Sequence, residues 1–308
     1  MSDQGVRHQL FVEPRLAWPL AIARIELGLT VFAWTATLLV DVSMLAGEGA
    51  GVPPEFADTT FAWLPHDSTA VMVMALLVLL AASVAVTIGF RPTVFLVVIF
   101  VLLVAVQRRA PQLLNSGDII IRNLALLLAL CPTGAAASFD RARRIGRDGW
   151  FTSAAVAPWG LRLVQLQVMV VYLFAFWSKS GDTWRDGTAV STALRLVDLQ
   201  RFGQLDMLVS SVPVVAALTW GTLAAELALA TLLWVKRLRP ALIVVGLALH
   251  LSIDATMLVG FFGFAMFAGL MTFLDADAVD RRVRAWREQR GESGSHGEAD
   301  ADLGAAAG

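Results

Sequence analysis

From Ala70 to Ile88 the chain runs nineteen residues without a charged side chain. That is the length an α-helix needs to cross a bilayer core about 30 Å thick. Seven further apolar runs repeat the pattern, at roughly Leu16–Val40, Pro92–Val106, Asp118–Cys131, Trp159–Trp177, Val214–Val235, Ala241–Asp254 and Thr256–Phe273. Hydrocarbon offers no water to satisfy backbone N–H and C=O groups, so such runs fold as helices. The predicted fold class is therefore all-α, a polytopic transmembrane helical bundle of about eight spans. Composition agrees, because only 16% of residues are charged and 57% are hydrophobic, against about 25% charged in soluble domains. The runs at Pro92–Val106, Asp118–Cys131 and Ala241–Asp254 are short and predict tilted or partly re-entrant helices.

Charge placement sets the orientation. With eight spans and the N-terminus inside, the inner segments hold fifteen Lys and Arg residues and the outer segments six. The outer loop Asp41–Thr69 has none. The positive-inside rule then puts both termini in the cytoplasm of a multi-pass plasma-membrane protein. The expected organisation is a cytoplasmic segment over 1–14, a membrane domain over 15–275, and a tail over 276–308 that starts as a basic helix and ends disordered. The first residues lack a short apolar region followed by a cleavage site, so the first run reads as an uncleaved span. The connection Asp186–Val212 reads as a surface-lying helix. A net charge of -1 gives nucleic acid binding no support. The single cysteine, Cys131, excludes an internal disulfide and a cysteine metal site. His8, His66 and His296 are scattered, so no metal is predicted and the lipid bilayer is the partner that composition implies.

Ionisable residues within apolar runs are expensive and need partners. Arg24 and Glu26 are two apart and point to opposite sides of a helix, which leaves Glu226 in the sixth run as the expected mate of Arg24. Asp118 and Arg122 are four apart on one face. They predict either a local salt bridge or a cation, Arg122, presented to an anionic or quinone-like ligand. His250 and Asp254 have the same spacing, so the carboxylate is expected to orient the imidazole, in a structural role or within a polar site. Arg162 is expected to snorkel to the inner headgroups. The polar segment Trp177–Val190 (WSKSGDTWRDGTAV) places Lys179, Asp182, Trp184, Arg185 and Asp186 just outside the fifth run. Lys179 is there either a solvated interface anchor or, if desolvated, a general base.

Three stretches resemble the horizontally transferred transmembrane (HTTM) family, which includes the membrane domain of vitamin K-dependent gamma-carboxylase. They are Leu20–Leu29 (LAIARIELGL), Leu161–Val190 with its Gln-containing helix, lysine and Trp-x-x-Gly-x-Ala, and His250–Phe273 with its histidine-led helix. The resemblance covers nearly all of residues 15–275. It implies that Lys179, five residues before Trp184, is the base that deprotonates a vitamin K-like quinol, and it brings His250 into the site region. In the carboxylase the oxidised quinol yields a strong base that takes a proton from a glutamate γ-carbon, to which carbon dioxide adds.

The chain departs from that pattern in two respects. About 35 residues follow its last run, where the carboxylase carries a large extracytoplasmic substrate domain, and Ser180 follows the lysine where leucine is common. Two functions follow from the residues and the resemblance together. One is a quinol-binding or quinol-oxidising membrane core at the extracytoplasmic side, with Lys179 and His250 catalytic and with Arg122, Asp118, Asp182, Trp184 and Asp254 around the substrate. Family association adds a thiol-disulfide oxidoreductase-like redox partner. The other is a non-enzymatic scaffold, maturation or immunity protein acting through partners. The sequence leaves enzyme activity open between them.

Overall fold

A computed structural model of the chain describes residues 12–45, 68–109, 114–201 and 209–290. The expectations for His8, His66 and His296, for most of the first outer loop and for the tail from residue 291 lie outside the described residues. Each apolar run forms a helix: α1 (Trp18–Val40), α2 (Thr69–Ile88), α3 (Pro92–Arg109), α4 (Ser116–Ala129), α5 (Trp159–Ser178), α6 (Val212–Leu232), α7 (Arg239–Thr256) and α8 (Phe262–Met271). A ninth, α9 (Ala276–Gln289), follows them. Their starts obey local chemistry. Pro19, Pro213 and Pro240 stand in the first turns of α1, α6 and α7, where a missing N–H costs nothing. The α2 start is capped by the Ser68 hydroxyl, which accepts from the Val71 N–H.

Six of these helices are long and apolar enough to cross a membrane. The other two apolar runs gave α4 and α8, of 14 and 10 residues. At about 1.5 Å per residue neither can span a bilayer core unaided. Thr256 ends α7, and of the eighth expected span, Thr256–Phe273, only Phe262–Met271 is helical. Its first residues turn at Gly260, with φ +69°, and rest on an outer segment through a Gln200–Met257 bridge and a 2.7 Å bond from the Leu258 N–H to the Leu199 carbonyl. Beyond α8 the chain bends by 88° into α9. The surface helix expected over Asp186–Val212 shrinks to Ala189–Leu194 within the described residues.

The centre of the bundle is α1, which packs against α2, α4 and α8. Around it α3 joins α2 and α4, α5 joins α4, α6 and α8, and α7 joins α6 and α8. Leu27, Val31, Leu76, Leu96, Ile121 and Leu124 fill the middle and are essentially inaccessible. At one end, β1 (Arg15–Leu16) pairs antiparallel with β2 (Ala155–Val156). At the same end the Trp18 indole N–H donates to Asp280 of α9 at 2.9 Å, and Arg287 of α9 pairs with Asp148. The first described residues, the α4–α5 connection and α9 thus share one end, as eight alternating helices require. In the orientation expected from lysine and arginine placement it is the inner end.

Arg24 does not meet Glu226. It is wholly buried and donates to the carbonyls of Thr133 at 2.8 Å and Ala137 at 2.6 Å, in the turn after α4. The expected ion pair is replaced by backbone carbonyls, which a helix end leaves free.

Where α4 and α8 cross, a Cβ on Gly117 would come within 2.6 Å of the Phe262 backbone nitrogen. Gly117→Ala is expected to force the two helices apart and to cost about 1–3 kcal/mol, seen as a lower apparent Tm in detergent. Gly221→Ala, with open space around it, is expected to leave Tm unchanged or slightly raised.

Candidate functional site

Lys179 stands at the C-terminal end of α5, where four carbonyls lack helical partners. Its Nζ donates to one of them, Ala175, at 3.2 Å, and it forms an ion pair with Glu226 Oε1 of α6 at 2.7 Å. The ammonium also lies 5.5 Å from the centroid of the Trp184 ring, within range of a cation–π attraction. Trp184 is itself held by its carbonyl, which accepts from the Trp220 indole N–H of α6 at 3.2 Å. The side chains of Lys179 and Glu226 are 23% and 8% exposed. This lysine is therefore not a solvated anchor but one half of a largely buried pair.

Two helical turns before Lys179, on the same face of α5, lies Tyr172, the only tyrosine of the chain. Its hydroxyl shares a 2.8 Å hydrogen bond with His250 Nε2 of α7, and Glu226 lies within electrostatic range of it. Lys179, Glu226, Tyr172 and His250 thus form one polar group among three helices. The His250 ring is wedged edge-on between Phe262 and Phe267 of α8. Two members and a neighbour keep polar atoms without a hydrogen-bond partner among the described residues: Glu226 Oε2, His250 Nδ1 and both oxygens of Asp254.

The expectation that Asp254 orients His250 is corrected by these bonds. Tyr172 orients the imidazole, while the Asp254 carboxylate packs against Gly263 at the start of α8, where a Cβ would collide with it. The Asp254 backbone carbonyl accepts from Arg201 at 2.6 Å.

Asp118 and Arg122 do not pair with one another either. Asp118 and Asn115 form a reciprocal capping box at the start of α4, and Asp118 also accepts from the Trp34 indole N–H at 2.7 Å. Arg122 donates instead to Gln107 at 2.9 Å, and Gln107 in turn donates to the Asp118 carbonyl at 2.9 Å. A cleft of about 200 Å³ opens beside Asp118, lined by Trp34, Gln107, Asn115, Gly260 and Phe261 among others. Asp182 follows Lys179 by three residues, but its side chain is 91% exposed and pairs with Arg185, at 3.7 Å.

The predicted site residues therefore separate into three. Lys179, Trp184 and His250 belong to one polar group. Asp118 and Arg122 belong to a second, on the other side of the turn Gly260–Gly263. Asp254 lies beside His250 without bonding to it, and Asp182 is exposed. Tyr172, Trp34 and Gln107 are the members sequence reasoning did not place, and Glu226, expected beside Arg24, pairs with Lys179 instead. Among the described residues no group of His, Cys, Asp or Glu has the arrangement of a metal site.

Apolar helices of span length with ion pairs and hydrogen-bonded polar groups between them define a polytopic helical membrane protein. The chain belongs to the HTTM family, whose HTTM domain model matches residues 13–277. No curated protein and no solved structure matches it significantly.

Removing one partner of a buried ion pair costs about 3–5 kcal/mol, because the other charge is stranded. Lys179→Met is therefore expected to lower the apparent Tm in nanodiscs markedly, and Lys179→Met/Glu226→Leu to recover most of the loss. Equal losses in single and double variants would mean that the pair is screened by solvent.

Proposed function

We propose that this membrane core binds a quinol-type amphiphile from the outer half of the bilayer and that the Lys179–Glu226 pair takes up its hydroxyl proton. The observation that carries the reading is the polar group itself: Lys179 and Glu226 at 2.7 Å, next to Tyr172 and His250 at 2.8 Å, with Glu226 Oε2 and His250 Nδ1 unpartnered among the described residues. In a poorly solvated pair the proton can sit on either partner. With the proton on Glu226, Lys179 Nζ is a free amine. The quinol O–H bond then breaks, its proton goes to that nitrogen, and a quinolate is left. Trp184 and the Tyr172–His250 pair offer a ring face and a polar contact for the headgroup. A thiol-disulfide oxidoreductase-like partner would return the quinone to quinol. The plasma membrane is the proposed location.

The second reading is a scaffold, maturation or immunity role through partners. It is favoured by the open faces of α6 and α7, of which only 22% and 17% is buried inside the molecule. Such faces suit lipid and protein partners equally.

The deciding measurement is binding and air oxidation of vitamin K hydroquinone and of a ubiquinol by purified protein in nanodiscs, wild type against Lys179→Ala. A base contributes about 10²–10⁴-fold, so the variant is expected to lose oxidation by at least 10²-fold while binding stays within a few-fold. Lys179→Ala/Glu226→Ala, which strands no charge, serves as the folded control and is expected to be equally inactive. No binding of either quinol by the wild type would leave the partner-mediated role.

A further inference from the structure

A large cleft lies at the opposite end from Lys179. It has a volume of about 650 Å³ and opens at the inner end, between β1, α5, the α6–α7 connection and the start of α9. Four cations line it: Arg15, Arg162, Lys236 and Arg239. Three carboxylates, Glu13, Asp275 and Asp277, line it as well, so a positive charge remains in excess. Asp275 also caps α9, its Oδ1 accepting from the Ala278 N–H at 2.9 Å, and lies within electrostatic range of Arg239.

The guanidinium groups are held in place by the fold. Arg162 donates to Gln165 at 2.8 Å and lies 5.6 Å from the Trp234 ring centroid. Gln165, which is 2% exposed, is fixed in turn by donating to the Thr272 carbonyl at 2.7 Å. Arg239 donates through Nε to the Leu233 carbonyl at 3.1 Å and lies 6.0 Å from the Phe273 ring centroid. Arg15 is fixed by strand pairing with Val156, and its buried Nε has no hydrogen-bond partner among the described residues. Arg15 and Arg239 both lie within electrostatic range of Arg162, and Arg15 lies within range of Arg239.

Three like charges brought into mutual range at a membrane interface repel, and Asp275 near Arg239 offsets only part of that repulsion, so a further anion is favoured. Planar, preset guanidinium forks with a lysine beside them match the oxygens of a phosphoryl group. The cleft lies at the inner ends of α5 and α7, the depth of the cytoplasmic headgroups under the positive-inside orientation. We propose that this cleft binds a phosphoryl group, held by Arg15, Arg162 and Arg239 with Lys236 at its mouth. Its source is either an anionic phospholipid of the inner leaflet or a soluble phosphate ester.

The two sources separate in one experiment. Purified protein is placed in phosphatidylcholine nanodiscs with or without phosphatidylglycerol, and lipids retained after release are counted by native mass spectrometry. In parallel, the pure phosphatidylcholine sample is titrated with glycerol phosphate and followed by Tm. A retained phosphatidylglycerol, lost at least 10-fold in Arg239→Gln and in Arg15→Gln but kept in Arg143→Gln/Arg144→Gln, establishes a lipid headgroup site. Saturable stabilisation by glycerol phosphate alone, with the same dependence on the variants, establishes a soluble ligand. Lys236→Gln, at the exposed mouth, is expected to weaken binding less and keeps the test open if a buried variant misfolds. Retention of neither probe, or retention that all variants share equally, overturns the site.

Discussion

The inner half of the molecule hangs on Arg24, a guanidinium with no accessible surface and no hydrogen-bonded carboxylate. A charge inside a bilayer needs compensation from the protein itself, and here it comes from the carbonyls of Thr133 and Ala137. Those carbonyls belong to the turn that ends α4, so one side chain of α1 fixes the direction in which the chain leaves the membrane. The consequences spread along that turn. Ala136 bridges Ser153, whose hydroxyl accepts from the Ala17 N–H at 2.7 Å, next to the Trp18 indole that holds α9. Asp140, within electrostatic range of Arg24, accepts from the Arg91 N–H between α2 and α3. The inner end is thus one hydrogen-bonded unit built around a buried cation.

The outer half depends on the start of α8 in a different way. Four consecutive residues there touch both polar groups. Gly260 sits against Asn115, Phe261 lines the cleft beside Asp118, Phe262 meets Gly117 and the His250 ring, and Gly263 makes room for Asp254. Glycine at 117 and 263 is what allows backbone and carboxylate to approach so closely. A shift of α8 therefore cannot alter one polar group without moving the other, because packed interiors transmit displacement.

The positions of the eight apolar helices were legible in the sequence, since run length and the absence of charge dictate them. What could not be read was which polar groups meet. The pairings expected at i, i+4 spacing, Asp118 with Arg122 and His250 with Asp254, gave way to partners 15 and 78 residues distant, Gln107 and Tyr172. Spacing on one helix says that two side chains share a face, but not that a better partner is absent on the next helix. Glu226 was assigned to Arg24 by depth, whereas Lys179 reaches it because α5 ends early enough for its last carbonyls and Glu226 to face the same ammonium. Tyr172 left a faint signal, as the only tyrosine of the chain, two turns before Lys179. The shortness of α4 was legible, but the length of α8 was not, because its start is set by a glycine turn resting on residues far along the chain.

The position of the Lys179–Glu226 pair bears on what it can do. At a solvated surface an ammonium–carboxylate pair is worth little and its lysine stays charged. Lys179 and Glu226 are instead largely withdrawn from solvent, so each would be stranded by loss of the other. Trp184 adds to the hold on the ammonium, as do the carbonyl of Ala175 and the end of the α5 dipole. The neighbouring Tyr172 and His250 are already bonded to one another, so neither competes for Glu226 Oε1. The pair is thus fixed from several sides: it ties α5 to α6, while Trp184 and its bond from Trp220 tie the segment after α5 to the same ammonium. A displacement of that segment therefore cannot leave the α5–α6 contact unchanged, because packed interiors transmit displacement.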